Sequence, residues 1–308
     1  MFVARVRFLL AVFGLAVVAA GERMRLAPSA LPGGGDEFAA PRIFYISAAP
    51  NMPQIYAYCH PNCTSVKLID FRIEAVQGSD RVVCRRPDVF PAPSGLGRLW
   101  DITRTIVETK GEDYVRGGRA IVRAIVDGRP GRATAYIHGR NPAAEAVKAL
   151  AERQPGARWF TYYVGKHESG PGRPRQFKDG LPLRSYDKGF GIYQLTKPAP
   201  DCRQLWNWKA NVVKGCSRLY EFYGEAQRWM RRQRSQAKGV PVPGRTEGKC
   251  FFKAGTGKII EDAVTLKLYN GASRGQYCAW DNARSRWKFN PKNNKGFNYV
   301  NRICNALP

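Results

Sequence analysis

The residue pattern of this chain changes at Asn141-Pro142, and this change constrains the fold more than any other feature. From about residue 42 to 141, β-branched and aromatic residues dominate. From Ala143 to Arg153 they give way to Ala, Glu, Lys and Leu, which favour helices. A chain of 308 residues has room for about two domains. We therefore expect a β domain followed by a mainly α domain.

The first domain is expected to span residues 42–141. Its clearest signal is a hairpin, in which Ala120 to Val126 and Ala133 to Ile137 flank the turn sequence Asp127 to Gly131. Several short strands bounded by turn residues are typical of a small antiparallel β-sandwich of the immunoglobulin-like kind. A linker helix over 142–154 would then lead into a second domain over 155–308.

The N-terminus is typical of an export signal. Arg5 and Arg7 precede the apolar run Phe8 to Ala20, which ends in small residues, so we expect cleavage after Ala20. The run is shorter than the roughly 20 residues that a membrane-spanning helix needs, although an uncleaved anchor remains the alternative. Residues 21–41 would form a flexible leader. The sequence thus predicts a periplasmic or secreted protein with no membrane span in its mature chain.

The chain is strongly basic. Its formal net charge is +26, and loss of the two arginines in the signal would leave +24. Such a charge attracts polyanions, among them nucleic acid, anionic lipid and the acidic polymers of a cell wall. Export favours the wall, while a basic surface that serves only solubility is the alternative.

Eight cysteines in an exported chain predict disulfides. Three of them lie early and five late, and both counts are odd, so the pattern requires either a bridge between the two groups or two unpaired thiols. A zinc site at Cys59-His60 and Cys63 is an alternative that lacks a second close pair of ligands. We therefore expect no metal and no cofactor.

Glu168 is the candidate catalytic residue. Apolar and aromatic positions recur at helical spacing from Ala157 onward, which predicts a buried helix that ends at Gly170-Pro171-Gly172. Glu168 would lie in its last turn. Burial beside aromatic side chains raises the pKa of a carboxyl and keeps it protonated, as a general acid requires.

Three later segments carry further candidates. Gly189 to Thr196 predicts a tight turn that presents Gln194. Gln204 to Leu219 predicts a helix that carries Asn211 and Gly215. Ile259 to Leu268 predicts another helix, which runs into Tyr269-Asn270-Gly271.

These segments together resemble the soluble lytic transglycosylase family of the lysozyme-like superfamily, over residues 155–308. The resemblance rests on five motifs in the family's order: Glu168-Ser169, Gly191-Ile192-Tyr193-Gln194, Asn211 with Gly215, Tyr269-Asn270-Gly271 and Tyr299-Val300. It implies a lysozyme-like domain that cuts the β-1,4 bond between N-acetylmuramic acid and N-acetylglucosamine in peptidoglycan strands. The products would carry 1,6-anhydro-muramic ends.

The resemblance also implies roles for single residues. Glu168 would be the catalytic acid, and Ser169 its hydrogen-bonding neighbour. Tyr269 and Asn270 would position the sugar or the carboxylate. The residues expected to bind substrate are Ser169, Tyr193, Gln194, Asn211, Tyr269 and Asn270.

Two other functions remain open from the sequence. A hydrolytic muramidase needs a second carboxylate, for which Asp187 and Asp179 are the candidates. A protein of another class would bind wall polymers or another polyanion without cutting them. Peptidoglycan is the expected partner, and no specific nucleic acid is expected.

Overall fold

The structure is a computed structural model that describes residues 22–26, 42–59, 65–76, 83–94, 99–170, 172–236, 260–271, 278–281, 286–289 and 294–305. They form two compact units. The first takes residues up to Arg140 together with 177–182 and 201–207, and the second takes 141–176, 183–200 and the residues from Trp208 onward. The predicted export signal lies outside the described residues, as does most of the predicted leader.

A five-stranded sheet forms the larger part of the first unit. Its strands are β2 (Arg42–Ile46), β4 (Val66–Glu74), β5 (Asp88–Pro91), β7 (Gly118–Val126) and β8 (Arg129–Gly139), in the order β2-β8-β7-β4-β5. The predicted hairpin is the β7-β8 pair, and its turn is the two residues Asp127 and Gly128. Both have positive φ, which matches the twist of a two-residue hairpin.

A second, three-stranded sheet joins β1 (Glu22–Leu26), β3 (Ile55–Cys59) and β6 (Leu99–Asp101) in the order β1-β3-β6. The β1-β3 and β2-β8 pairs are parallel, whereas the sandwich predicted from the sequence is antiparallel. Alternating apolar residues indicate a strand but not the direction of its neighbour, which explains the difference. Strand β1 also lies inside the segment that the sequence predicts as a leader.

Helix α1 (Ile102–Lys110) lies within the predicted β domain. The carboxylate of Asp101 caps it by accepting a hydrogen bond from the backbone N–H of Arg104 at 3.0 Å. Ile102 and Ile106 are buried in the core of the first unit. The β-branched residues of this segment favour a strand, so the helix is set by its cap and its burial rather than by propensity.

Two short elements from later in the chain also belong to the first unit. They are the hairpin of β9 (Phe177–Lys178) and β10 (Leu181–Pro182), and helix α4 (Cys202–Trp206). A disulfide joins Cys84 to Cys202, so one early cysteine pairs with one late cysteine within a single unit. Cys216 is a buried free thiol, and Cys63 and Cys250 lie outside the described residues.

The second unit is mainly helical. Its helices are α2 (Ala144–Glu152), α3 (Thr161–Glu168), α5 (Trp208–Gln236), α6 (Ile260–Tyr269) and α7 (Asn294–Asn305), and it also holds the antiparallel pair β11 (Cys278–Asp281) and β12 (Arg286–Phe289). Its core includes Val164, Tyr193, Trp208 and Val264, each from a different segment. Burial of these apolar side chains holds the helices together. No helix in the described part of the chain is long and apolar enough to cross a membrane.

Candidate active site

Glu168 is the last residue of α3 and lines a cleft of about 300 Å³ in the second unit. Phe160 and Val164 bury one side of the helix in the core. Gly170 ends it with φ +108°, a backbone conformation that suits glycine. The carboxyl of Glu168 therefore lies at the end of the helix, between its buried face and the cleft.

Tyr299 holds the carboxyl of Glu168. Its hydroxyl donates a hydrogen bond to Glu168 Oε1 at 2.5 Å, and its side chain is buried on α7. The ring of His167 contacts the ring of Tyr299 edge to face, with centroids 5.1 Å apart. The aromatic pair fixes the direction of the carboxyl and shields one side of it from water.

Burial raises the pKa of Glu168 from its ordinary value near 4.5 to about 7. The hydrogen bond from Tyr299 opposes this rise because it stabilises the charged carboxylate, and the nearby negative charge of Asp187 adds to it. At neutral pH the side chain is thus divided between its protonated and charged forms. Such a group can both donate and accept a proton.

A tight loop brings Gln194 to the same cleft. Asn211 of α5 fixes this loop, since its Oδ1 accepts from the N–H of Tyr193 at 3.0 Å and its Nδ2 donates to the carbonyl of Phe190 at 3.1 Å. Gly191 has φ +71°, and a Cβ there would lie 2.5 Å from Asn211 Nδ2. Only glycine allows this close approach of loop and helix.

Gln194 itself has φ +46° and lines the cleft. Its Nε2 donates to the carbonyl of Gly191 at 2.7 Å. Its Oε1 is buried and has no hydrogen-bond partner within the described ranges. An acceptor buried without a partner is unfavourable, so a turn of the Gln194 amide toward the cleft would let Oε1 accept an N–H or O–H from a ligand.

Tyr269 and Asn270 reach the cleft from the end of α6. The hydroxyl of Tyr269 donates to the carbonyl of Tyr193 at 2.5 Å, which ties α6 to the loop that presents Gln194. Asn270 is exposed in the cleft. The cleft thus gathers Glu168, Gln194, Tyr269 and Asn270 from three separate parts of the chain.

Three of the residues expected to bind substrate are buried and are not among the described residues that line the cleft: Ser169, Tyr193 and Asn211. The hydroxyl of Ser169 donates to the carbonyl of Gly165 at 2.8 Å and accepts from the N–H of Arg175 at 3.0 Å. The hydroxyl of Tyr193 donates to the carbonyl of Thr161 at 2.9 Å. In this structure these side chains position the backbone around the cleft.

The two candidates for a second carboxylate lie in different units. Asp187 is exposed, lines the cleft and accepts a hydrogen bond from the Ser185 hydroxyl. Asp179 lies in the first unit at the turn of the β9-β10 hairpin, with φ +52°, and is not among the cleft residues that the structure describes. Only Asp187 therefore shares a cleft with Glu168.

One wall of the cleft was not predicted from the sequence. Lys214, Arg218 and Phe222 follow each other at intervals of four residues on α5, so they share one face of the helix, and all three line the cleft. The guanidinium of Arg218 lies 4.6 Å from the centroid of the Phe222 ring. Together with Lys197 from the loop after Gln194, this wall makes the cleft attractive to anionic groups.

No protein-family model, curated protein or solved structure matches this chain significantly. The likeness to lytic transglycosylases therefore rests on the motifs themselves. Among the residues that the structure describes, no group of three or more His, Cys, Asp or Glu side chains could hold a metal ion.

The geometry makes one prediction about Glu168 that needs no assay of activity. In the Tyr299→Phe variant the carboxylate loses its hydroxyl donor, so the protonated form is favoured and the pKa of Glu168 should rise above about 7. A carbon-13 NMR titration of the glutamate carboxyls measures this directly. Tyr163→Phe removes a hydroxyl from the same helix and should leave the titration unchanged. A pKa that stays constant or falls in Tyr299→Phe would show that the hydrogen bond does not stabilise the charge.

Proposed function

We propose that the chain is a lytic transglycosylase, a lyase-type enzyme that cuts the glycan strands of peptidoglycan with Glu168 as its single catalytic residue. The observation that supports this most is the burial of the Glu168 carboxyl at a cleft that it shares with Gln194 and Tyr269, which raises its pKa to about 7. The order of the motifs supports the same conclusion. The second unit, over the part of the chain predicted as lysozyme-like, would be the catalytic one.

In the proposed reaction Glu168 first acts as an acid. It protonates the glycosidic oxygen between N-acetylmuramic acid and N-acetylglucosamine, and the C1–O bond breaks while the substrate's own acetamido group stabilises C1. The charged Glu168 then removes the proton from the muramic 6-hydroxyl, whose oxygen bonds to C1. No water is consumed, and the product ends in a 1,6-anhydro ring.

The pKa of Glu168 suits both halves of this cycle. A carboxyl with an ordinary pKa near 4.5 would be almost fully charged at neutral pH and would seldom hold the proton that it must donate. A pKa of about 7 keeps a large fraction protonated while the charged form stays accessible as a base. The hydrogen bond from Tyr299 limits the rise and orients Oε1.

The other cleft residues would bind the sugars. Asn270 is exposed and offers both a donor and an acceptor, and a turn of the Gln194 amide would present Oε1 to the N–H of an acetamido group. Tyr269 would act mainly as a support, because its hydroxyl is already bonded to the carbonyl of Tyr193. Lys214 and Arg218 would attract the carboxylates of muramic acid and its peptides.

A hydrolytic muramidase is the second candidate, and one observation favours it. Asp187 lines the same cleft, and its charge contributes to the raised pKa of Glu168, so two carboxyl groups face one space. In a hydrolase Asp187 would act as nucleophile or hold the attacking water. Asp179 is not among the described residues that line this cleft.

The masses of the reaction products separate the two candidates. Purified peptidoglycan digested with this chain should yield muropeptides that are lighter by one water than the reducing products of a hydrolytic lysozyme on the same substrate. Mass spectrometry of both digests, run side by side, makes the comparison. Exclusively reducing ends would refute the transglycosylase proposal and leave the hydrolase.

The site of action is also a proposal. The predicted signal over residues 1–20 and a net charge of +26 support export to a compartment that contains acidic wall polymers. A chain of another class, which would bind such polymers without cutting them, would need none of the chemistry at Glu168. Substitution of that residue therefore separates the two classes.

A further inference from the structure

The five-stranded sheet of the first unit has two unlike faces. On β7 the buried residues Ala120, Val122 and Ala124 point to one side, and the other side presents Arg119 and Arg123 with Ile121 and Ile125 between and beside them. The strand register places the outward side chains of neighbouring strands side by side. We call this outward side the arginine face. Its polar and aromatic side chains are Tyr45, Lys67, Asp70, Arg72, Glu74, Arg119, Arg123, Arg132, Tyr136, His138 and Arg140, and Ile43, Ile121, Ile125 and Thr134 lie among them.

Two carboxylates hold three of the arginines in place. Asp70 accepts from Arg123 Nε at 2.7 Å and also pairs with Arg72 at 3.3 Å. Glu74 pairs with Arg119 at 2.7 Å. These contacts fix the guanidinium groups, yet the side chains of Arg119 and Arg123 stay 41% and 42% exposed. The groups are therefore oriented in advance and still accessible to a ligand.

The face as a whole remains basic. Its six Lys and Arg side chains outnumber its two carboxylates, which leaves a net charge of +4. Arg132 and Arg140 are exposed and make no ion pair within the part of the chain that is described. These two guanidinium groups are the freest to bind an anion.

One end of the face is aromatic. The rings of Tyr45 and His138 lie 6.1 Å apart, and those of His138 and Tyr136 lie 6.2 Å apart. Tyr45 is 39% exposed, and Arg140 lies 4.7 Å from the centroid of its ring. Rings beside guanidinium groups offer apolar contact for a sugar and a charged partner for its carboxylate.

The charge density of the face indicates which polyanion fits. From Arg132 to His138 the strand covers roughly 20 Å. A DNA duplex of that length carries about 12 phosphates, since its charges lie about 1.7 Å apart along the axis. The face has a net charge of only +4, and two carboxylates, Asp70 and Glu74, lie among its arginines. It is therefore poorly matched to the phosphate density of duplex DNA. It is better matched to a polymer with one carboxylate for every one or two sugars.

We propose that the arginine face binds an acidic polysaccharide, with its carboxylates on the guanidinium groups and its sugars against the aromatic end. This goes beyond the proposed cleavage, because it concerns the first unit and uses none of the cleft residues. It also does not depend on the cleft's being catalytic.

Binding to hyaluronan fragments, which carry one carboxylate per disaccharide, tests the proposal. The full chain is compared with two double variants that lose the same charge: Arg132→Ala with Arg140→Ala on the face, and Arg104→Ala with Lys110→Ala on α1. The face variant should raise the Kd about fivefold to tenfold, and the α1 variant less than twofold. The substituted side chains are all exposed, so circular dichroism should show all three proteins folded.

Three outcomes would overturn the proposal. Failure of the unmodified chain to bind hyaluronan would remove the ligand class. Equal losses in the two double variants would show that net charge alone drives binding. Tighter binding to duplex DNA or to phosphatidylglycerol vesicles at the same salt concentration, with a loss in the face variant, would assign the face to those polymers or surfaces. A Tyr45→Ala variant adds a check, since it should weaken hyaluronan binding without altering charge.

Discussion

Replacing Glu168 with glutamine should lower the rate of peptidoglycan cleavage by about 10²- to 10⁴-fold, the usual contribution of a general acid. Glutamine has the same shape but cannot donate the proton that the departing oxygen needs. The loss of turbidity of a peptidoglycan suspension measures the rate. Binding to the same suspension should persist, because the cationic wall of Lys214 and Arg218 is unchanged.

Glu152→Gln is the matched control, because this exposed glutamate ends a neighbouring helix and should leave the rate unchanged. Two results would be decisive against the proposed site. Lysis at the normal rate by Glu168→Gln would remove Glu168 as the acid. Lack of lysis by the unmodified chain, with strong binding, would favour a protein that binds wall polymers without cutting them.

The same variant provides a measurement that needs no substrate. The folded chain holds the proton of Glu168 up to about pH 7, whereas an unfolded chain releases it near 4.5. The folded state therefore loses stability as the pH rises through this window, by on the order of 3 kcal/mol at its upper end. Glu168→Gln avoids the loss, so its gain in stability over the unmodified chain should be larger at pH 8 than at pH 4.

The sequence could predict those parts of the candidate site that depend on local signals. A helix that ends in glycine presents Glu168, a glycine turn presents Gln194, and a second helix end presents Tyr269. Each of these is encoded within a few neighbouring residues. The structure places all three on one cleft.

Other parts of the site depend on contacts between distant segments, which local patterns do not encode. Tyr299 is 131 residues from Glu168, and the Tyr299-Val300 motif does not by itself indicate what the hydroxyl binds. Lys214 and Arg218 lie on a predicted helix, but only packing decides which face of that helix meets the cleft. Polar side chains can bind either a ligand or the backbone, and the sequence does not distinguish the two. In the structure the side chains of Ser169, Tyr193 and Asn211 bind backbone carbonyls.

The same limit applies to the fold. A single boundary at Asn141-Pro142 separates two compositions, yet the β9-β10 hairpin and α4 come from beyond it and belong to the first unit. Residue propensity could not predict that these later segments join the first unit, because propensity reflects each segment alone and not the segments that it packs against. The Cys84–Cys202 disulfide links α4 covalently to an early segment of the same unit.

Asp262 lies at the centre of a buried polar contact whose loss should cost the folded state about 3 to 5 kcal/mol. Its Oδ1 pairs with Arg158 Nε at 2.5 Å, its Oδ2 accepts from Trp159 Nε1 at 3.0 Å, and its side chain is fully buried. The Asp262→Ala variant leaves a partly buried guanidinium and an indole N–H without their acceptor. Urea unfolding followed by circular dichroism measures the loss.

This contact also connects stability to the candidate site. Arg158 and Trp159 directly precede α3, which ends at Glu168, and Asp262 lies in the first turn of α6, which ends at Tyr269. Loss of the contact should therefore loosen both helices that reach the cleft, and cleavage should fall at temperatures where the variant is still largely folded. Glu152→Ala breaks the exposed Lys148–Glu152 pair and should cost less than about 1 kcal/mol, because water already screens those charges. If Asp262→Ala is no less stable than Glu152→Ala, the buried contact does not hold α3 against α6, and the position of Glu168 must depend on the apolar core and on hydrogen bonds such as that from Tyr299.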